Sequence, residues 1–431
     1  MHFPKSFIAG FWLPLLGVVA SAQTPLTLKQ VLEQVRINSP VLRVDRLNIS
    51  VAQANQVTAN LRPNPILNNQ TLFQLSPTPV TPMVAEVNGA LSRQRRQFWL
   101  QATKEFDVFH KRQYRNRFAE ANTNLAVKSV AETERGLLFD AANLFLDAWY
   151  ARIQLALLQR AKANVDTLVQ LNKVRLKDLV INSTELTRTQ LLSDRFDLQT
   201  RTARQDLRNR LTELRLVLGT TDSVTVALSD SIVRPDFTDP LSLYPSVEAS
   251  ADSLLRLAAL TRTDVQVASA NLETARRNVD LQQVLAKPRN EAGLIWNPQN
   301  AVPYAGVFLT LELPFYSRNQ GEIQKSQVLV DQANQAASFV QARIRSEVET
   351  AYQSFITSRQ NVDRFTGIRR NADKVLGSVR YAYLRGATTL IDLLEAQRSW
   401  FETQTAYYQT LYSYRQNYVR LLYVTGQINS Y

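Results

Sequence analysis

Residues 329–355 read LVDQANQAASFVQARIRSEVETAYQSF, with apolar positions spaced three and four apart. Apolar or small side chains recur at Leu329, Ala333, Ala336, Val340, Ile344, Val348, Ala351 and Phe355. The stripe resumes at Val362, Phe365, Ile368, Ala372, Val375, Val379 and Tyr383, with Arg359 in the skipped turn. From Leu329 to Tyr383 the stripe makes fifteen turns over 54 residues, which is 3.6 residues per turn. This predicts a helix from about Glu322 to Leu384, roughly 95 Å long. A first-half equivalent runs from about Arg112 to Val180, roughly 100 Å. Such lengths belong to a coiled coil, a bundle or a helical barrel rather than to a compact domain. A 3.6 repeat also argues against tight left-handed supercoiling throughout, which would lock a 3.5 repeat. Frequent alanines, among them Ala121, Ala126, Ala141, Ala142, Ala333, Ala336 and Ala337, allow close approach on more than one face.

The segments before each long helix alternate with a period of two. Val307, Leu309, Leu311 and Leu313 alternate with Gly306, Phe308, Thr310 and Glu312, Phe308 being the exception to a polar second face. Phe98, Leu100, Ala102 and Phe106 alternate with Gln101, Thr103, Glu105 and Asp107. Ten such residues suit a tilted membrane strand, and a small soluble sheet with one buried face is the other reading. Partner strands are expected at about 65–75 and 289–297, with turns at Asn297-Pro298 and in the Pro77 to Pro82 cluster. Four strands cannot close a barrel around a useful channel, so strands in a membrane need other chains to complete them, most simply by cyclic symmetry.

Composition removes several chemistries. The 431 residues contain no cysteine and two histidines, leaving little material for thiolate or imidazole metal sites or for a Ser-His-Asp triad. No cofactor, no bound metal and no catalytic residue is expected. The net charge of +13 permits polyanionic partners. Export and the lack of an Arg/Lys module with interleaved aromatics argue against nucleic acid. Lys5, the apolar run Phe7 to Val19 and Ala20-Ser21-Ala22 before Gln23 form a cleaved secretory signal over residues 1–22, a buried N-terminal helix being the alternative. Cleavage would leave His110 as the one imidazole. No later apolar run approaches the length of a transmembrane helix.

The chain also reads as a duplication. Val31, Leu32, Val35, Leu42, Ala52 and Pro65 recur in kind at Leu254, Leu255, Ala258, Val265, Ala275 and Pro288, an offset of 223. Val174-Arg175 matches Val379-Arg380 at 205, and Leu218-Gly219 matches Thr425-Gly426 at 207. The offsets fit two units, 23–247 and 248–431, the first carrying a longer loop near Pro77 to Arg95. Each unit holds short helices, two strands (about 65–75 and 97–107; about 289–297 and 304–313), a long helix (about 112–180; about 322–384) and a closing helix (about 184–218; about 388–425).

Four motifs carry a resemblance. Leu26-Thr27-Leu28 through Asn38-Ser39-Pro40-Val41-Leu42, Leu61-Arg62-Pro63-Asn64-Pro65, Leu313-Pro314-Phe315-Tyr316-Ser317-Arg318-Asn319-Gln320-Gly321, and Gly386-Ala387-Thr388-Thr389-Leu390-Ile391-Asp392-Leu393-Leu394-Glu395-Ala396-Gln397 occur in order. In these the chain resembles the outer-membrane efflux protein family typified by TolC, in its heavy-metal and multidrug branch serving tripartite RND-type pumps. The resemblance implies a mainly α chain with a membrane β-barrel, as a homotrimer sharing a twelve-stranded outer-membrane barrel over a long periplasmic helical barrel. It implies a non-enzymatic duct in the outer membrane of a Gram-negative bacterium, contacting outer-membrane lipid, a periplasmic adaptor and an inner-membrane pump. Two departures stand out. Phe109-His110-Lys111-Arg112 lacks the glycines that many relatives have there, and Gln23 stands where lipid-anchored members have cysteine.

By the same resemblance Asp392 and Glu395 match acidic residues lining the closed inner aperture. Their i,i+3 spacing puts both on one helix face, where three chains would supply six carboxylates. The alternative is the ordinary preference for acids in a first helical turn. Gly386 is expected in the tip turn, and Gly219 and Gly426 at helix ends in left-handed geometry. Arg93, Arg95 and Arg96 form a small basic group near an outer loop. The aromatics Tyr407, Tyr408, Tyr412, Tyr414, Tyr418 and Tyr423 suit barrel packing. A periplasmic adaptor or helical scaffold, and a type I secretion exit duct, are the competing functions. With one histidine and one methionine after the signal, cargo is not legible in the chain.

Overall fold

The computed structural model describes residues 25–73, 96–227, 251–299 and 302–430. The expected signal, the loop with Arg93 and Arg95, and most of the linker before Ala251 lie outside the described residues. The order is α1 (Leu28–Asn38), α2 (Pro40–Asn60), β1 (Ile66–Phe73), β2 (Arg96–Glu105), α3 (Lys111–Lys177) and α4 (Ser183–Leu218). It continues with α5 (Ala251–Thr261), α6 (Thr263–Leu285), β3 (Asn290–Gln299), β4 (Val302–Leu311), α7 (Gln320–Leu384) and α8 (Leu390–Val424), closed by a short 3-10 turn at Gln427–Ser430. The chain is mostly helical, and α3 and α7, with 67 and 65 residues, each run about 100 Å. No helix among the described residues is long and apolar enough to cross a membrane.

Local chemistry sets the helix ends. Thr27 and Thr389 close capping boxes at the starts of α1 and α8, and the Asn182 side chain accepts from the Glu185 amide at the start of α4. The glycine-poor start of α3 is solved without glycine. His110 takes left-handed geometry at φ 59°, and the Asp107 carboxylate accepts from the Arg112 amide at 2.8 Å. Asn319 plays the same part before α7 at φ 56°. The positive-φ residues pair across the two halves: His110 with Asn319 (319 minus 110 is 209), Leu179 with Gly386 (207) and Gly219 with Gly426 (207).

The core gathers where α1, α3, α5, α7 and the C-terminal part of α8 meet, around Val31, Val35, Phe145, Trp149, Val348, Phe355, Tyr414 and Tyr418. Of the C-terminal aromatics, Tyr407, Tyr414 and Tyr418 are buried, and Tyr408, Tyr412 and Tyr423 are half-buried. The skipped turn of the α7 stripe is filled by Ser358, whose hydroxyl donates to the Phe355 carbonyl, while Arg359 is exposed. Towards the far end the long helices form a single layer, α4 on α3, α3 on α8, α8 on α7.

The four strands form one antiparallel sheet in the order β1-β2-β3-β4. Its register sorts the side chains into two faces, because residues directly opposite in neighbouring strands share a face. One cross-strand row is Leu67, Ala102, Leu294 and Val307. Its neighbours add Leu100, Trp296 and Ala305 on one side, and Lys104, Ala292 and Leu309 on the other. The opposite face is mixed: Asn68, Gln70, Gln101, Thr103, Glu105, Glu291, Asn297 and Tyr304 stand among Ile66, Leu72, Trp99, Ile295 and Phe308. On that face Phe308 lies opposite Gly293 and covers it; a Cβ at Gly293 would meet the Phe308 ring at 2.7 Å and the Ala102 carbonyl. Asn297 and Pro298 are not a turn. They continue β3, paired with Tyr304 and Pro303, since a proline lacking an N–H is tolerated near a ladder's end.

Candidate functional site

At the end of the molecule away from the sheet, α3 turns into α4 through Asp178 to Asn182, and α7 into α8 through Arg385 to Thr389. The two turns are tied together. Arg175 stacks over the Tyr383 ring with 4.7 Å to the centroid and donates to the Leu384 carbonyl at 3.1 Å. The Tyr383 hydroxyl donates to Asn172 Oδ1 at 2.9 Å. Tyr383, Leu390 and Leu393 form a small core there, beside an apolar cavity of about 200 Å³ lined by Leu168, Leu171, Leu376 and Gln397.

Asp392 and Glu395 lie on the first turns of α8, both exposed and facing away from Leu393, Gln397 and Trp400. Neither lines the cavity. The Asp392 carboxylate is engaged in helix capping: Oδ2 accepts from the Thr389 hydroxyl at 2.7 Å, the Thr388 hydroxyl at 2.7 Å and the Thr389 amide at 3.1 Å. Those donors, the Thr389 hydroxyl first, hold its carboxyl below the usual aspartate value. Its folded-state pKa being depressed, the stability it lends the start of α8 is present above the ordinary aspartate range and is lost as pH falls through the lowered value. Glu395 makes no hydrogen bond among the described residues, but Arg398 one turn on feels its charge while bonded to Glu402 at 2.9 Å.

Gly386, at φ 75°, sits in the α7–α8 turn with open space around it. Gly219 and Gly426 are in left-handed geometry at the ends of α4 and α8 and touch the inter-helix junctions of their own halves. A Cβ on Gly219 would lie 2.7 Å from the Asn38 carbonyl, and one on Gly426 2.6 Å from the Thr261 hydroxyl.

Sequence reading missed a buried ionic cluster at the α5–α6 junction. Arg135 on α3 and Arg262 are each 1% exposed. Arg262 grips Asp264 with two bonds of 3.0 and 2.6 Å and reaches Glu347 of α7 at 2.7 Å. Arg135 grips Glu132 at 2.9 and 2.7 Å. Arg343 of α7 donates to Asp264 at 2.9 Å. The two buried guanidinia also donate to the last carbonyls of α8, Arg135 to Tyr423 at 3.0 Å and Arg262 to Val424 at 3.1 Å. Burial alone would push the Asp264 carboxyl up, but the Arg262 fork, helped by Arg135 and Arg343, holds it below the ordinary value. The one local signal was a charged pair bracketing Thr263 at a helix boundary.

The sequence model of the family described as outer membrane efflux protein matches residues 254–427. No curated protein sequence matches the chain. Among solved structures, the open-state MtrE outer membrane channel of Neisseria gonorrhoeae is similar at TM-score 0.72 and 16% identity, over 93% of this chain and 89% of that one. The Campylobacter jejuni CmeC outer membrane channel aligns at TM-score 0.70 and 12% identity, over 99% and 94%. A CusC structure reported for transmembrane channel formation aligns at TM-score 0.72 and 16% identity, over 94% and 92%. At these identities the likeness establishes the fold.

Proposed function

Since residues 254–427 match the model of the outer membrane efflux protein family, we propose that the whole chain is the outer-membrane duct of a tripartite efflux system, conducting substrates passively to the exterior. Three copies close a twelve-stranded barrel in the outer membrane and a helical tunnel in the periplasm. An adaptor and an inner-membrane pump supply coupling and energy, and the channel itself carries out no chemical reaction. Two tandem repeats build each chain, a reading supported by the repeated element order and by the three pairs of left-handed residues.

The observation that carries the proposal is the incompleteness of one chain. Its sheet has an exposed apolar face, a mixed face richer in polar residues and, among the described residues, two unpaired edges, β1 and β4. An open edge has no place in lipid, so membrane insertion requires β1 of one copy to pair with β4 of the next. The helical layer is open in the same sense, with α4 and α7 at its margins. Both margins carry exposed apolar residues, Leu191 and Leu198 on α4 and Ile368 and Val375 on α7. Leu191 and Leu198 stand 8 and 15 residues from the start of α4 at Ser183, and Val375 and Ile368 stand 9 and 16 from the end of α7 at Leu384. At 1.5 Å per residue the two pairs lie at matching heights above the tip. A soluble adaptor or scaffold would leave the apolar sheet face without a role.

In this reading Asp392 and Glu395 of three copies ring the inner aperture. Replacing both by alanine is expected to raise single-channel conductance or weaken cation preference in planar bilayers. Thr389→Ala, which loosens the same helix start but keeps both charges, serves as the control. Unchanged conductance and selectivity in the double variant would remove these residues from the aperture. A protein recovered without detergent and silent in bilayer recordings would refute the channel itself.

A further inference from the structure

Where the sheet meets the helices, the apolar face ends in cations. Lys104 is the one charged residue in the cross-strand row with Ala292 and Leu309, next to the row Leu67, Ala102, Leu294 and Val307. Its side chain is exposed and has no ion-pair partner among the described residues. Just beyond it stand Arg62 before β1 and Lys287 before β3, both exposed and equally unpaired among the described residues. Lys111, at the start of α3, donates to the Lys287 carbonyl at 2.7 Å, and Arg115 follows one turn later. Of the acids nearby, Glu105, Glu312 and Asp107 attract Lys111. Glu105 and Glu291 point to the mixed face, where Arg289 binds them at 2.9 and 3.3 Å, and Asp107 caps α3.

Exposed apolar side chains mark the same level: Phe106, Val108, Leu313, Phe315 and Tyr316. Cations rimming an apolar face, with aromatic rings among them, match a boundary between hydrocarbon and phosphate. An ammonium on such a face extends to the headgroup layer while its methylenes stay against hydrocarbon. A protein partner would be expected to present pairing carboxylates to an irregular patch. Here the cations instead lie along one level of a sheet whose apolar face is otherwise bare.

We infer that Arg62, Lys104, Lys111, Arg115 and Lys287 form a collar that binds the headgroup phosphates of anionic phospholipid in the inner leaflet around the barrel. The inference rests on the channel reading, because it needs the sheet in a bilayer. The test uses the detergent-purified full chain exchanged into phosphatidylglycerol or phosphatidylcholine, with retained lipid counted by native mass spectrometry. Phosphatidylglycerol should be retained in preference, and preference should fall as salt is raised. Arg62→Gln, Lys104→Gln and Lys287→Gln together should lower the preference about tenfold or more. Lys104→Gln alone, an exposed side chain without packing partners, should lower it severalfold with the fold intact. Arg289→Gln, on the opposite face, should leave it unchanged. Equal retention of the two lipids, or loss of preference in Arg289→Gln but not in the triple variant, overturns the collar and leaves the channel standing. Failure to enter bilayers of either lipid overturns the channel reading and the collar with it.

Discussion

Asp264→Ala is expected to cost about 3–5 kcal/mol of folding stability, the loss typical of a buried ion pair deprived of one partner. The carboxylate is 7% exposed and receives Arg262 through both oxygens, with Arg343 on one of them and Arg135 within 3.7 Å. Removing it leaves two buried guanidinia facing each other across an empty site. Arg262 would keep Glu347, and Arg135 would keep Glu132, but each would lose part of the counter-charge that offsets its desolvation. The damage would spread, because the same two arginines hold the last carbonyls of α8. Arg343→Ala should cost about 1 kcal/mol or less, since that side chain is 42% exposed and screened by water. Thermal unfolding of the two variants side by side makes the comparison, and equal losses would contradict the account. Because the folded Asp264 carboxyl lies below its ordinary value, its contribution is complete above the ordinary aspartate range and fades as pH falls through the depressed value.

Alanine at the three left-handed glycines is expected to give two different results. Any L-residue held at such a φ loses about 1–2 kcal/mol. Gly386→Ala should lose that and no more, since its Cβ would meet nothing within 4 Å. Gly426→Ala adds contacts of 2.6 Å with the Thr261 hydroxyl and 3.1 Å with the Arg262 amide, at the margin of the ionic cluster. Gly219→Ala adds 2.7 Å with the Asn38 carbonyl and 2.9 Å with the Pro40 ring. Overpacking of this kind costs about a further 1–3 kcal/mol, so both should lose about 3 kcal/mol in total. The order of apparent Tm values checks this. A Gly386→Ala variant as unstable as the other two would show that the helix ends are not fixed by these junctions.

Much of this chain is legible from periodicity, because long amphipathic helices and dyad strands each repeat one rule many times. The α7 stripe named its buried residues from Ile344 to Phe355 correctly, since one face meets one partner throughout that stretch. The same stripe placed Ile368 and Val375 on the buried side, and one chain leaves them exposed. Periodicity reports that a face is apolar, not which chain covers it. β1 was hard to read because Asn68, Asn69 and Gln70 interrupt its alternation, as an edge strand exposed on both sides allows. Phe308 looked misplaced until the register set it over Gly293. The ionic cluster was invisible because its members, Glu132 to Glu347, are far apart in sequence and each alone reads as a solvated charge. At the start of α8, residue types and spacing were readable, but the capping bonds of Asp392 were not, since an acid at the third position of a helix suits either a cap or an aperture.

In the proposed trimer, α4 of one copy lies against α7 of the next. Within a single chain α3 and α8 stand between them, and the native sequence has no cysteine to interfere. Leu198→Cys combined with Ile368→Cys therefore tests it most directly, because a disulfide forms only when the two Cα atoms come within about 7 Å. Under mild oxidation in outer-membrane fractions the account predicts a covalent ladder ending at three chains, reversed by reductant and absent from either single variant. A double variant that stays monomeric after oxidation, or links without limit beyond three, would contradict it.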